Sequence, residues 1–198
     1  RYVGYAGVSQ RGCAFDNMNR VAYTAGWNDA LLWRLDENLE VLGTQALDRP
    51  VAGLAIDEPQ RRLYAAVTGV VDSLLEFEID AEGLVSETGR GWVIPWEGHA
   101  DGHSVAGLDF DEETGSFLCV NQDAGQLEFF RILGDDLKNV GTCALALDRP
   151  WGFGIDLATA EVHVAARTDN SCANVLVPLS TDPPVAGWPV PDWQVRFE

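Results

Sequence analysis

Two histidines and one aspartate alternate with small residues in a short stretch, H-A-D-G-H, near the middle of the chain. They are His99, Asp101 and His103. Imidazole nitrogens and carboxylate oxygens are common ligands of divalent metal ions such as zinc. A histidine beside a carboxylate also has the chemistry of a general base. The stretch therefore predicts a metal-binding or catalytic site, and the alternative is an ordinary polar loop.

Tryptophans are a second group with binding chemistry, and the sequence contains seven of them. Most lie next to predicted turns, and we take four as candidates for a binding surface: Trp27, Trp96, Trp151 and Trp188. Exposed indole rings stack on sugars or anchor protein partners. The alternative is that these rings pack in the interior, between structural units.

The charge of the chain restricts its partners. The sequence has 31 acidic and 13 basic residues and a formal net charge of −18. Such a surface repels nucleic acid and anionic lipid, and no apolar run approaches the roughly 20 residues that cross a bilayer. We therefore expect neither nucleic-acid binding nor membrane insertion. The sequence begins at Arg1 without a signal-peptide pattern, which we interpret as a processed or trimmed chain.

A glycine followed four residues later by an aspartate recurs along the chain and indicates its architecture. The four copies are Gly12–Asp16, Gly53–Asp57, Gly107–Asp111 and Gly152–Asp156, at intervals of 41, 54 and 45 residues. A short polar turn and further alternating apolar runs follow each copy, and alternation with a period of two predicts strands. Four antiparallel strands in a repeat of about 45 residues are typical of a β-propeller blade.

The predicted fold class is therefore all-β, a β-propeller with about four recognisable four-stranded blades in a single domain, residues 1–198. The blades are expected near residues 11–50, 51–100, 101–149 and 150–198. Either residues 1–10 or the C-terminal tail should supply the outer strand of the last blade. The blades form a closed small ring or part of a larger one.

Propeller geometry gives the repeated residues structural roles. The first strand of each blade lies nearest the axis, where crowding between neighbouring blades favours glycine. The aspartate that ends this strand can cap the following hairpin by accepting hydrogen bonds from backbone N–H groups. We therefore expect Asp16, Asp57, Asp111 and Asp156 to be turn caps rather than metal ligands.

The four cysteines, Cys13, Cys119, Cys143 and Cys172, lack C-x-x-C spacing, which disfavours a zinc ribbon or a thioredoxin motif. Their even number permits two disulfides in an oxidising compartment. Cys119 and Cys143 fall in one predicted blade and are the expected bridge, whereas the alternative is four buried thiols. We expect an extracellular or cell-surface location, and the alternative is the periplasm.

Two segments carry a resemblance to a known family. These segments, L-A-I-D-E-P-Q-R-R-L-Y-A-A-V and H-S-V-A-G-L-D-F-D-E-E-T-G-S-F-L-C-V, resemble the repeats of lactonase-type propellers, which include bacterial 6-phosphogluconolactonase. NHL-like and YVTN-like propellers are similar more loosely. The resemblance implies a propeller with its active site on the axis. It would place His103 in that site as a catalytic residue, with Arg149 near a second catalytic position.

Two functions remain open at this point. The first is a non-catalytic, secreted or cell-surface module that binds a protein partner, a second copy of itself or a carbohydrate. The second is a lactonase-like or metal-dependent hydrolase that uses His103 with Arg149 or Asp101. We expect no cofactor for the first function, and a divalent metal ion at His99, Asp101 and His103 belongs to the second.

Overall fold

The described part of the chain consists of four four-stranded antiparallel sheets. The computed structural model describes residues 10–97, 105–145, 147, 149–156, 161–166, 172–176 and 195–197. Blades 1 and 2 comprise β1 (Gln10–Asp16), β2 (Val21–Gly26), β3 (Leu31–Leu35), β4 (Val41–Ala46), β5 (Val51–Asp57), β6 (Arg62–Val67), β7 (Ser73–Ile79) and β8 (Val85–Val93). Blades 3 and 4 comprise β9 (Val105–Asp111), β10 (Ser116–Asn121), β11 (Gln126–Leu133), β12 (Asp136–Ala144), β13 (Pro150–Asp156), β14 (Glu161–Ala166), β15 (Cys172–Leu176) and β16 (Val195–Phe197). In each blade the strands pair in chain order. This confirms the predicted all-β architecture of four-stranded blades.

The four sheets follow one another as separate units, and the described residues show no closed ring. The outer strand of blade 4 comes from the C-terminal tail, because Phe197 of β16 lies opposite Ala173 of β15. The described residues form no helix that could cross a membrane.

Successive side chains of a strand point to opposite faces of the sheet, so they contact either the preceding or the following blade. On β6, Ala65 packs against residues of blade 1, whereas its neighbours Tyr64 and Ala66 pack against residues of blade 3. On β10, Phe117 faces blade 2 and Leu118 faces blade 4. A sheet that lies between two others is buried on both faces, which explains why the central positions of β6 and β10 are apolar without alternation. Apolar clusters between successive blades therefore hold the array together.

The repeated glycines lie where the inner strands of neighbouring blades approach most closely. A β-carbon on Gly12 would lie 2.8 Å from the backbone nitrogen of Leu54, and one on Gly53 would lie 2.5 Å from that of Leu108. No larger side chain fits at such distances without a backbone shift. Among the described residues, nothing lies within 4 Å of a β-carbon on Gly152. The glycines of blades 1 and 2 are therefore contact surfaces for the backbone of the next blade.

The motif aspartates cap the hairpins, as expected. Asp16 Oδ1 accepts hydrogen bonds from the backbone nitrogens of Met18 and Asn19, at 3.0 and 3.2 Å. Asp57 Oδ1 accepts one from Gln60 N at 3.0 Å, and Asp111 Oδ1 accepts one from Glu113 N at 3.1 Å. The side chain of Asp156 lies outside the described set.

Asp16 also joins blade 1 to blade 2. The guanidinium of Arg61 donates from Nη1 to Oδ1 at 2.8 Å and from Nη2 to Oδ2 at 2.7 Å. Burial alone would raise the pKa of Asp16, but the hydrogen bonds from Arg61 and Asn19 outweigh it and lower that pKa. A bidentate pair with a fully buried carboxylate therefore crosses this interface.

The expected disulfide is wrong. Cys119 and Cys143 are both free and buried. They lie on β10 and β12, on either side of β11, where Cys119 is opposite Glu128 and Cys143 is opposite Leu127. Adjacent residues of a strand point to opposite faces, so the two thiols point to different interfaces from strands about 10 Å apart. The side chain of Cys172 lies outside the described set.

We expect Gly53→Ala to destabilise the protein by about 2 kcal/mol, because the new methyl group overpacks the contact with Leu108. Gly152→Ala is the matched control, since its methyl group meets no described atom within 4 Å. Urea unfolding followed by circular dichroism measures both. Equal stability of the two variants would contradict close packing at the glycines.

We expect Arg61→Ala to cost on the order of 3 kcal/mol at pH 7, because it leaves the buried carboxylate of Asp16 unpaired. Arg20→Ala is the matched control, since Arg20 occupies the equivalent left-handed turn position in blade 1 but pairs with Glu37 at the surface. That control should change the free energy of unfolding by less than about 1 kcal/mol.

The pH dependence follows from the lowered pKa of Asp16. The pair stabilises the fold fully above the unfolded pKa of about 4 and loses that contribution as the pH falls through the lower folded value. The free energy of unfolding of the parent chain should therefore exceed that of Arg61→Ala by a smaller margin below about pH 4. If the two free energies of unfolding differ by the same amount at every pH down to acid unfolding, the charge of Asp16 is not the source of the stabilisation.

Candidate functional site along the axis

Two cavities lie along the inner strands, and the residues that flank the repeated glycines line them. The smaller one, here the mouth cavity, has a volume of about 220 Å³ and lies where the inner strands begin. The larger one, here the turn cavity, has a volume of about 880 Å³ and lies where the inner strands end in their hairpins. Both are lined by the residues that directly follow the glycines: Cys13, Leu54, Leu108 and Phe153.

An arginine and two tryptophans meet at the mouth cavity. The guanidinium carbon of Arg11 lies 3.9 Å from the ring centroid of Trp27 and 4.2 Å from that of Trp151. Trp27 follows β2, whereas Trp151 belongs to β13, so the contact brings blade 1 and blade 4 together. A cation over an indole face is attracted by about 0.5–2 kcal/mol, depending on burial. We call these three residues the Arg11–tryptophan cluster.

The structure thus unites two of the tryptophans that were predicted to bind and separates a third. Trp96 is half-buried, and its Nε1 donates a hydrogen bond to Asp72 Oδ2 at 3.1 Å. Its ring packs edge-on against Phe130, with 5.6 Å between the ring centroids. Trp96 is therefore part of the interface between blades 2 and 3. Trp188 lies outside the described residues.

The three residues of the expected metal site, His99, Asp101 and His103, also lie outside the described residues. The chain on either side of them is anchored to one carboxylate, because Asp72 Oδ2 accepts hydrogen bonds from both Trp96 Nε1 and Val105 N, each at 3.1 Å. In the ranges that the structure describes, no three histidine, cysteine, aspartate or glutamate side chains are grouped to hold a metal ion. The metal site therefore remains a prediction from sequence.

A second buried carboxylate supports the same region. Glu128 is fully buried and accepts hydrogen bonds from Asn121 Nδ2 at 2.8 Å, Asn139 Nδ2 at 2.7 Å and Glu97 N at 3.1 Å. Burial raises the pKa of Glu128 more than these hydrogen bonds lower it. Three donors from three elements fix this carboxylate in place, so its role is to position the surrounding backbone.

Arg149, the second expected catalytic residue, is exposed in the link that leads into β13. Its φ of 51° is a left-handed conformation, which is uncommon for a residue other than glycine. The structure places it next to Pro150, the first residue of β13. Its relation to His103 is not described.

The turn cavity combines apolar walls with five acidic side chains: Glu58, Asp109, Asp111, Glu112 and Glu113. Its lining includes Phe110 and Phe153 from two blades, together with Asp109 of β9. Burial raises the pKa of Asp109, and the nearby negative charge of Asp111 raises it further. The hydrogen bond from the N–H of Phe110 lowers that pKa but does not cancel the rise. Asp109 could have been singled out from the sequence, because the position two residues after the repeated glycine holds a small side chain in the other three copies.

Comparison with known proteins identifies the fold. No family model and no curated protein matches the chain. The chain is similar to a 6-phosphogluconolactonase-like protein of Bacteroides uniformis, with 13% identity and a TM-score of 0.62 over 85% of this chain and 50% of that one. It is also similar to the Cps50 (Swd1) β-propeller domain of Myceliophteria thermophila, with 14% identity and a TM-score of 0.62 over 96% and 57%.

A chain from the structure of the nidogen/laminin complex is a third similar protein, with 16% identity and a TM-score of 0.60 over 85% of this chain and 61% of that one. The chain thus spans about half to three-fifths of the length of these proteins. At such low identity the likeness shows the fold alone, an array of propeller blades.

We expect Asp72→Ala to destabilise the protein by about 2–4 kcal/mol, because it removes the shared acceptor of Trp96 Nε1 and Val105 N and leaves two donors unpaired. Asp36→Ala is the control, since Asp36 likewise accepts two hydrogen bonds, both from backbone N–H groups of a surface turn that water can satisfy. Its cost should be about 1 kcal/mol or less. Thermal unfolding measures both variants, and an equal loss would contradict the anchoring role of Asp72.

Proposed function

We propose that the chain is a non-catalytic binding module of a propeller protein. It acts outside the cell or at the cell surface and recognises a protein partner at the mouth of the axis. The observation that carries this proposal is the Arg11–tryptophan cluster, in which two indole rings hold a guanidinium at the rim of the mouth cavity.

Arginine and tryptophan are the residues most enriched at the energetic centres of protein interfaces. The guanidinium carbon of Arg11 lies within about 4 Å of both ring centroids, so contacts with two rings restrict the side chain. A side chain held in this way loses little conformational freedom on binding, so less of the binding energy is spent on ordering it. The three residues therefore form a preorganised anchor.

The chemistry of the axis supports binding more than catalysis. Cys13 is a potential nucleophile that lines both cavities and is exposed, but partial desolvation raises the pKa of its thiol, so the protonated form dominates at neutral pH. A protonated thiol is a poor nucleophile. Propellers of similar structure include a chain of the nidogen/laminin complex, which is an assembly of proteins.

The test is binding of the purified chain to arrays of purified extracellular proteins and glycans, followed by affinity measurement for each protein that binds. We expect Arg11→Ala and Trp151→Ala to weaken binding by about 30-fold, the effect of losing an interface hot spot. Trp92→Ala is the matched control, because it removes a half-buried indole from β8, away from the mouth, and should leave the affinity unchanged.

Unchanged affinity in the Arg11→Ala and Trp151→Ala variants would contradict the proposal. If the chain binds glycans but no protein, the partner is a carbohydrate and not a protein. Hydrolysis of a lactone that is lost on His103→Ala would favour the hydrolase instead.

A further inference from the structure

The position two residues after each repeated glycine is small in three blades and charged in one. Ala14, Ala55 and Gly154 occupy it in blades 1, 2 and 4, whereas Asp109 occupies it in blade 3. Because the four positions are equivalent in the repeat, the three small residues leave space along the axis beside the carboxylate of the fourth. This space is part of the turn cavity, which Ala14, Ala55 and Asp109 all line.

The other carboxylates of the turn cavity are already engaged or lie at its rim. Glu58 Oε1 accepts a hydrogen bond from Asn17 N at 2.6 Å, and Glu112 Oε1 accepts one from Glu58 N at 3.1 Å. Asp111 accepts from the backbone of its own turn and from Thr114. Glu113 is exposed at the end of the hairpin.

Asp109 differs from these residues. Its Oδ1 accepts a hydrogen bond from the N–H of Phe110 at 2.8 Å, and its Oδ2 has no partner among the described residues. No lysine, arginine or histidine of the described residues lines the cavity. Asp109 is half-buried, and a partly desolvated charge without a counter-charge destabilises a fold. This carboxylate therefore has no structural role that the described contacts explain.

We infer that the turn cavity binds an organic ammonium ion with an apolar body and that Asp109 is its counter-ion. The ammonium group would donate to Oδ2 of Asp109, and its apolar part would lie against Phe110, Phe153 and Ile56. A charge-assisted hydrogen bond in a partly dehydrated cavity is the interaction that favours a cation here. The acidic rim of Glu58 and Glu112 attracts cations toward it. This site lies at the opposite end of the axis from the Arg11–tryptophan cluster and does not depend on the partner proposed there.

Two sources supply such a group, a free amine and a lysine side chain of another protein. The test therefore uses two probes in titration calorimetry at neutral pH: 2-phenylethylammonium, and an N-acetylated peptide with adjacent lysine and phenylalanine. Each probe has an uncharged counterpart, 2-phenylethanol and the same peptide with norleucine in place of lysine. We expect saturable binding of at least one charged probe and about tenfold or weaker binding of its uncharged counterpart.

Two variants locate the site. Asp109→Asn keeps the shape of the side chain and should reduce affinity for the charged probe about tenfold or more. Asp135→Asn, in an exposed hairpin of the same blade, is the matched control and should leave the affinity unchanged. Ala14→Leu narrows the space beside the carboxylate but retains the charge, and it should also weaken binding.

Urea unfolding of Asp109→Asn provides an independent check on folding, since removal of an unpaired charge should leave stability unchanged or increase it. Binding of the free amine alone points to a small molecule, and binding of the peptide alone points to a protein partner, and both outcomes support the site. The inference is overturned if neither charged probe binds at millimolar concentration, or if Asp109→Asn binds as tightly as the parent chain.

Discussion

The close approach of inner strands at the repeated glycines is the constraint on which the rest of this structure depends. A β-carbon on Gly12 or Gly53 would lie within 3 Å of the next blade's backbone, so the blades pack at a separation that other residues would prevent. This separation allows the apolar residues of each sheet to fill both of its interfaces. It also allows Arg61 to reach Asp16 across the first interface.

The same constraint determines what surrounds the axis. Because the glycines are in register, the residues on either side of them line the axial cavities in layers. The layer before the glycines places Arg11 and Trp151 at the mouth. The layer two residues after them places Asp109 among small side chains at the turn end. One repeat thus produces two chemically different ends, a cationic and aromatic one and an acidic and apolar one.

Much of the fold was predictable from sequence because the determining pattern is local and repeated. The spacing from Gly53 to Asp57, followed by alternating apolar residues, is enough to predict an inner strand and its capped hairpin. The disulfide was predicted wrongly, because blade membership does not specify the register that puts Cys119 and Cys143 on opposite faces. The Arg11–tryptophan cluster was missed, because Arg11 and Trp151 lie far apart in the sequence and meet only through a contact between blades 1 and 4. Asp109 was detectable by comparing equivalent positions between repeats.

Native-state hydrogen exchange tests the central role of the glycine contacts most directly. If these contacts join the blades into one cooperative unit, the hydrogen-bonded amides of β1, β5 and β9 should exchange with the same free energy, equal to that of global unfolding. The edge strands β4 and β8 should exchange with lower free energies. Inner strands that exchange with clearly different free energies would contradict this account, because the blades would then open independently of one another.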